Sequence, residues 1–276
     1  MILIVLIILG LSFGSFVNAL VWRTYKQETK SSRKKNKSSD LSIIKGRSVC
    51  VHCGHTLSAK DLVPVLSWLE LRGRCRYCQK PISAQYPLVE LLTTGLFIVS
   101  YHFWPMPFDM AGWLMFSLWL AATVLLVALA VYDLRWMILP NRLVFILIGV
   151  AFISIVLRLF SQPIIETLLA AVMGVVFSAG LFYLLFRVSD GKWIGGGDVK
   201  LAVALGLLVG GPLNAVLMLF LASLFGSLVA IPLLMAGKAK RSTHLPFGPF
   251  LIIATYIVFL FGETLSHWYE KIFLGI

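Results

Sequence analysis

Apolar stretches of about 20 residues, each able to cross a hydrocarbon layer about 30 Å thick, recur along this chain. They fall at 1–22, 86–104, 112–132, 141–160, 164–187, 197–211, 213–236 and 248–265. The expected fold is an all-α polytopic membrane protein with about eight transmembrane helices. A mean hydropathy of +0.91 and only 13% charged residues exclude a water-soluble globule. The first stretch lacks a basic lead-in, and Ser12, Gly14 and Ser15 lie inside it rather than after it. It reads as an uncleaved anchor.

The basic residues set an orientation. Alternating sides across eight spans puts 22 of the 24 lysines and arginines on one side, leaving Arg158 and Lys271 on the other. That bias marks the first side as cytoplasmic, so both termini are expected on the opposite side. Three regions follow: 1–22 as the first transmembrane helix, 23–85 as a basic cytoplasmic loop, and 86–276 as a seven-helix membrane domain. Lys30, Arg33, Lys34, Lys35 and Lys37 lie among serines in that loop. Such a tract reads as a solvated, disordered segment beside anionic lipid headgroups. A nucleic-acid role is the weaker alternative, since Tyr25 is the tract's sole stacking residue.

All four cysteines fall in the same loop, as Cys50-x2-Cys53 and Cys75-x2-Cys78. A two-residue spacer lets both thiolates of a knuckle reach one ion, so the pattern points to a structural zinc site within 50–78. A pair of disulfides is the alternative, and a reducing cytoplasm disfavours it. His52 and His55 sit in or beside the first knuckle and could replace a sulfur. A loop this short has little core, so metal binding would contribute to its folding.

Two aspartates adjoin apolar spans on the cytoplasmic side. Asp133 ends the third, before Leu139-Pro140-Asn141, and Asp198 follows Gly195-Gly196-Gly197. Singly, each has a plain explanation: an interfacial acid beside Arg135 or Arg142, and a first-turn acid favoured by the helix dipole. Together they suggest chemistry. The span after Asp198 reaches Pro212 after about 14 residues, about 21 Å of helix, which would set Asp198 below the headgroups. Two converging carboxyls share a proton: the ionised one activates a water, and the protonated one polarises a carbonyl and protonates the leaving amine. Glycines 195 to 197 would let an extended peptide backbone come close.

The chain resembles the bacterial type IV prepilin peptidases, polytopic aspartic enzymes of the GxGD type. The matching pieces run in order through most of it: Gly14-Ser15-Phe16-Val17-Asn18 before Trp22-Arg23; both cysteine knuckles; Gly73-Arg74-Cys75-Arg76-Tyr77-Cys78; Tyr86-Pro87-Leu88-Val89-Glu90; Asp133 with Leu139-Pro140-Asn141; Gly195-Gly196-Gly197-Asp198-Val199-Lys200; and Pro246-Phe247-Gly248-Pro249. The resemblance implies that Asp133 and Asp198 are the catalytic pair, with Gly195, Gly197, Lys200 and Glu90 in support. It implies an enzyme of the bacterial inner membrane that removes short basic leaders from pilin-like precursors. Many members also methylate the new terminus with S-adenosylmethionine. Gly14, Asn18, Arg23 and Glu90 are the candidates for that activity, and each also reads as a helix-packing or anchoring residue. Glu70 and Glu90 are candidates for meeting the leader's charge.

One departure stands out: more than 25 residues separate Trp22-Arg23 from the first knuckle, where the family usually has few. The competing reading is a non-enzymatic, transporter-like membrane protein whose intramembrane acids serve ion coupling. No clear inverted repeat supports that reading.

Overall fold

A computed structural model of the protein describes residues 1–31, 46–237, 245–269 and 271. The basic tract's residues 32–45, including Arg33, Lys34, Lys35 and Lys37, lie outside the described residues, as do 238–244. Among the described residues there is no sheet; the architecture is all-helical, as expected.

The helices are α1 (Ile2–Ser31), α2 (Leu66–Glu70), α3 (Gln85–His102), α4 (Met110–Trp136), α5 (Asn141–Arg158), α6 (Ile164–Val175), α7 (Leu181–Val188), α8 (Gly196–Val209), α9 (Pro212–Met235) and α10 (Gly248–Tyr269). A π-turn, Val176–Gly180, joins α6 to α7, so the two form one continuous rod. Eight helical segments thus stand where eight apolar runs were read. Six of them are long and apolar enough to cross a membrane by themselves. The other two are α3, with Gln85, Tyr86 and His102 at its ends, and α8, of only 14 residues.

The chain divides into two compact units, Met1–His102 with Thr123–Ala128, and Phe103–Ala122 with Leu129–Ile276. In the first unit α1 lies along α3. Gly10 and Gly14 permit the approach: a Cβ on Gly10 would overlap the Thr94 backbone, and one on Gly14 would overlap Glu90. Small residues at such a crossing let backbones pack closely where lipid supplies no hydrophobic drive. Asn18 adds a polar tie, its Nδ2 donating to the Tyr86 carbonyl at 3.1 Å and its Oδ1 accepting from Gln85 Nε2 at 3.3 Å.

Helix α1 continues past the apolar run through Arg23 to Ser31, where the sequence reading placed a disordered tract. The structure shows local support for it. Lys26, Gln27 and Glu28 are good helix formers, and Lys26 Nζ sits 6.0 Å from the Trp22 ring, one turn back.

In the second unit the short α8 is the hub, packed by α5, α6, α7, α9 and α10. Leu201, Ala202, Ala204, Leu205, Gly206, Leu208 and Val209 are buried, as befits a helix apolar on every side. Its tightest crossing is with α6, where a Cβ on Gly174 or Gly206 would overlap the opposing backbone. Ser178, in the π-turn, donates one hydroxyl to two carbonyls, Gly174 at 2.7 Å and Ala202 at 3.0 Å. The Gly210–Gly211 turn that ends α8 has positive φ at both residues and donates Gly211 N–H to the Ala170 carbonyl. These contacts fix α8 in position, and through it Asp198.

Candidate active site and metal centre

Three helix ends meet around the aspartates. Asp133 lies in the last turn of α4, which stops at Met137 in a left-handed cap whose N–H returns to the Asp133 carbonyl. The residue is 5% exposed. A helix C-terminus is a poor place for a negative charge, and the fold compensates with the N-terminus of α10: Gly248 N–H donates to Asp133 Oδ2 at 3.1 Å. Only glycine fits there. A Cβ on residue 248 would stand 2.6 Å from that same oxygen. Pro249 follows at a helical position that needs no donor.

Asp198 occupies the first turn of α8, with Gly195 as N-cap. Its backbone N–H donates to the Gly195 carbonyl at 3.1 Å. Its Oδ2 would lie 3.3 Å from a Cβ on Gly195, so a side chain there would crowd the carboxyl. The two carboxyls lie near enough that the charge on Asp133 acts on Asp198.

The loop between α4 and α5 is laced to α8 beside them. A Cβ on Gly197 would stand 3.2 Å from Leu139 Cβ, and Lys200 Nζ donates to Asn141 Oδ1 at 3.0 Å. Leu139-Pro140-Asn141 and Gly195-Gly196-Gly197-Asp198-Val199-Lys200 therefore work as one joint holding both acids. Gly195, Gly197 and Lys200 all belong to it. Glu90 is buried in the first unit, where its Oε2 accepts Val65 N–H at 2.7 Å. Val65 is a β-branched residue at φ 60°, and this bond secures its strained turn. Gly248's role as donor was missed from sequence; the Gly-Pro pair at the mouth of an apolar run was its signal.

The candidate metal site, the four cysteines, belongs to the first unit. The Sγ atoms of Cys50, Cys53, Cys75 and Cys78 all lie within 4.8 Å of one another, and none is in a disulfide. Cys50 and Cys78 are 3.9 Å apart, against about 3.8 Å for two thiolates on one tetrahedral zinc with 2.3 Å bonds. The donor set fits zinc. His52 and His55 are outside this cluster, and His55 instead stacks on Tyr77 with ring centres 3.7 Å apart.

The two knuckles are copies of one turn. Cys50 N–H donates to His55 O and Gly54 N–H to Cys50 O; Cys75 N–H donates to Lys80 O and Gln79 N–H to Cys75 O. Gly54 and Gln79, equivalent in the repeat, both have positive φ. Burial opposes ionisation of the Cys50 thiol, but the backbone N–H groups of Cys53 and His52 outweigh it and bring its pKa down to about 7.

Asp61 is the support that the sequence reading overlooked. It accepts from Ser58 Oγ at 2.7 Å, Ser58 N at 3.1 Å, Arg76 Nε at 2.8 Å and Tyr77 Oη at 3.0 Å. The Ser58 hydroxyl, then Arg76, the Ser58 N–H and Tyr77 hold this carboxyl well below the usual carboxylate range against the opposing effect of burial. Ser58-x-x-Asp61 has the spacing of a capping box, which was the available signal. Glu70, proposed to meet a leader's charge, is 65% exposed and reaches Arg76 at 3.3 Å.

Gly14, Asn18, Arg23 and Glu90, the candidates for methyl transfer, all make packing or hydrogen-bonding contacts in the first unit. Gly14 is closed against Glu90, Asn18 ties α1 to α3, and Arg23 donates to the Gly46 carbonyl at 2.9 Å. These residues knit the unit together.

Comparison with known proteins identifies the family. Residues 8–104 match the bacterial peptidase A24 N-terminal domain, and residues 119–231 match the type IV leader peptidase family. The prepilin leader peptidase/N-methyltransferase of Aeromonas hydrophila is 34% identical over 277 residues, covering 96% of this chain and 92% of that protein. That of Pseudomonas aeruginosa is 31% identical, covering 95% and 91%. The type 4 prepilin-like proteins leader peptide-processing enzyme of Escherichia coli O78:H11 is 37% identical, covering 88% and 87%. No solved structure matches the chain. With family matches on both sides of residue 110, relatives aligned over nearly its whole length and six membrane-length helices, this multi-pass membrane protein belongs to the type IV prepilin leader peptidase family.

Proposed function

We propose that the protein is an aspartic endopeptidase that removes the basic leader from type IV prepilin-like precursors, with Asp133 and Asp198 as its catalytic pair. The observation that carries this reading is the pairing itself. Two acids 65 positions apart stand within electrostatic reach at the ends of two apolar helices, one carboxyl held by a helix N-terminus.

The proposed reaction uses one proton shared between the two carboxyls. The ionised member takes a proton from water as the oxygen attacks the scissile carbonyl carbon. The protonated member hydrogen-bonds the carbonyl oxygen and then gives its proton to the departing amine nitrogen. The Gly248 N–H donates to Asp133 Oδ2 and orients that carboxyl. Which acid begins protonated belongs to the pair rather than to either residue.

The bacterial inner membrane is the proposed location, with the aspartates and the knuckles on the cytoplasmic side, where most of the basic residues fall. A structural zinc on Cys50, Cys53, Cys75 and Cys78 would fold its loop and take no part in hydrolysis. N-methylation of the product, named in the relatives, is the accompanying activity we propose for this chain.

The test is co-expression with a pilin-like precursor, read by the mass of the product, which reports cleavage and any added methyl group together. Asp133→Asn and Asp198→Asn should each lower the cleavage rate by at least about a hundredfold, the scale of a lost general acid or base. Cleavage at the wild-type rate in either variant would overturn the assignment.

A further inference from the structure

The second unit contains a recess that the aspartate chemistry does not use. It is a shallow, partly open recess lined by Trp104, Met106, Met115, Trp119, Ser154, Arg158, Leu208 and Phe259. Arg158 ends α5, whose first residue, Asn141, bonds Lys200 beside Asp198. Eighteen helical residues span about 27 Å, so the recess lies at the far end of the unit from the aspartates.

Two groups there lack what they require. The half-buried Arg158 guanidinium makes no ion pair among the described residues, and no acidic side chain lines the recess. The indole Nε1 of Trp104 is fully buried with no acceptor. An unpaired cation and an orphan N–H among apolar side chains are each costly: the first calls for negative charge, the second for any acceptor, and an anionic oxygen supplies both.

The surroundings narrow the choice. Trp104 sits among Phe108, Phe116 and Phe259, Trp119 stacks on Phe259 at 3.6 Å, and Trp113 packs on Phe108. Such an aromatic cluster at the ends of membrane-length helices is characteristic of headgroup depth. The abundant oxygen anion at that depth is the phosphodiester of a glycerophospholipid, whose chains would lie along the apolar outer surface.

We infer that the Arg158–Trp104 recess binds the phosphate of a membrane phospholipid, Arg158 supplying the charge and Trp104 a second donor. Such a lipid would neutralise Arg158, half-buried at the end opposite the aspartates. The inference is independent of the peptidase reading.

The test is native mass spectrometry of the full-length protein, delipidated in detergent and titrated with phosphatidylglycerol. Arg158→Gln should weaken lipid binding about tenfold or more, the scale of a lost charge-assisted contact. Trp104→Phe, which keeps the ring and removes the N–H, should weaken it severalfold. Arg187→Gln, an exposed cation elsewhere, should leave it unchanged. Diacylglycerol of the same chains should bind wild type and Arg158→Gln alike. Should Arg158→Gln fail to fold, Trp104→Phe carries the test. Unchanged affinity in Trp104→Phe together with unchanged affinity in any folded Arg158 variant would overturn the site. Inorganic phosphate binding as tightly as the lipid would overturn the phospholipid as occupant.

Discussion

The cysteine centre and the aspartate centre are built in opposite ways. The first draws its four ligands from 29 consecutive residues, 50 to 78, and repeats one backbone turn twice. The second draws on Asp133, Asp198 and Gly248, brought together from helices far apart in the chain. One site is folded by local hydrogen bonds and, in our reading, by a metal. The other exists only when five helices are packed around α8. Local construction makes a site readable and replaceable; long-range construction makes it dependent on single contacts such as a missing Cβ.

The aspartate substitutions above should give the largest effect and leave metal content untouched, which separates the two centres. Next in size is Gly248→Ala. A methyl group 2.6 Å from Asp133 Oδ2 must displace the carboxyl or the start of α10, and misplacing a reacting group by about 1 Å can cost about a hundredfold in rate. Cleavage kinetics with helicity monitored in parallel would check it; a fall in kcat in a fully folded variant is the expected result.

Cys75→Ser tests the other centre. Bound zinc should drop from about one ion per chain to almost none, with faster proteolysis within 46–84. Cleavage should fall by less than in the aspartate variants. A loss as deep as theirs would break the division between a structural and a chemical centre.

Asp61→Asn is a subtler probe of the same loop. The native carboxyl is held below its ordinary range, so its contribution is full above about pH 4 and fades as pH falls toward the lower native value. Resistance to protease should therefore differ between wild type and variant near neutrality and converge in acid. The neutral-pH difference should be about 1–3 kcal/mol, the scale of bonds to a charged acceptor. Smallest of all should be Lys200→Ala. It removes an exposed hydrogen bond to Asn141 and should slow cleavage only a few-fold.

Much of the architecture was legible beforehand, for reasons visible in particular residues. A helix in lipid must be apolar over its whole length, so the eight segments and the turns at Pro140, Pro163 and Gly210–Pro212 show in composition alone. The extension of α1 beyond Arg23 was not legible, because a polar helix and a polar coil have similar composition. Lys26 lying back over Trp22 decides it. In the metal loop, spacing exposed all four cysteines and excluded neither histidine; placing the His55 ring on Tyr77 did that.

Residue order by itself fixed the membrane class, the number of apolar segments, the identity of the two acids and the four thiols. It did so because hydrocarbon thickness and ligand geometry act over short separations along the chain. Only the packed molecule decided that Gly248 N–H meets Asp133, that Glu90 secures Val65 in the other unit, and that Asp61 braces the second knuckle. Those pairings depend on which helix ends and loops converge in three dimensions, and a backbone N–H or a missing Cβ carries no label in a string of letters.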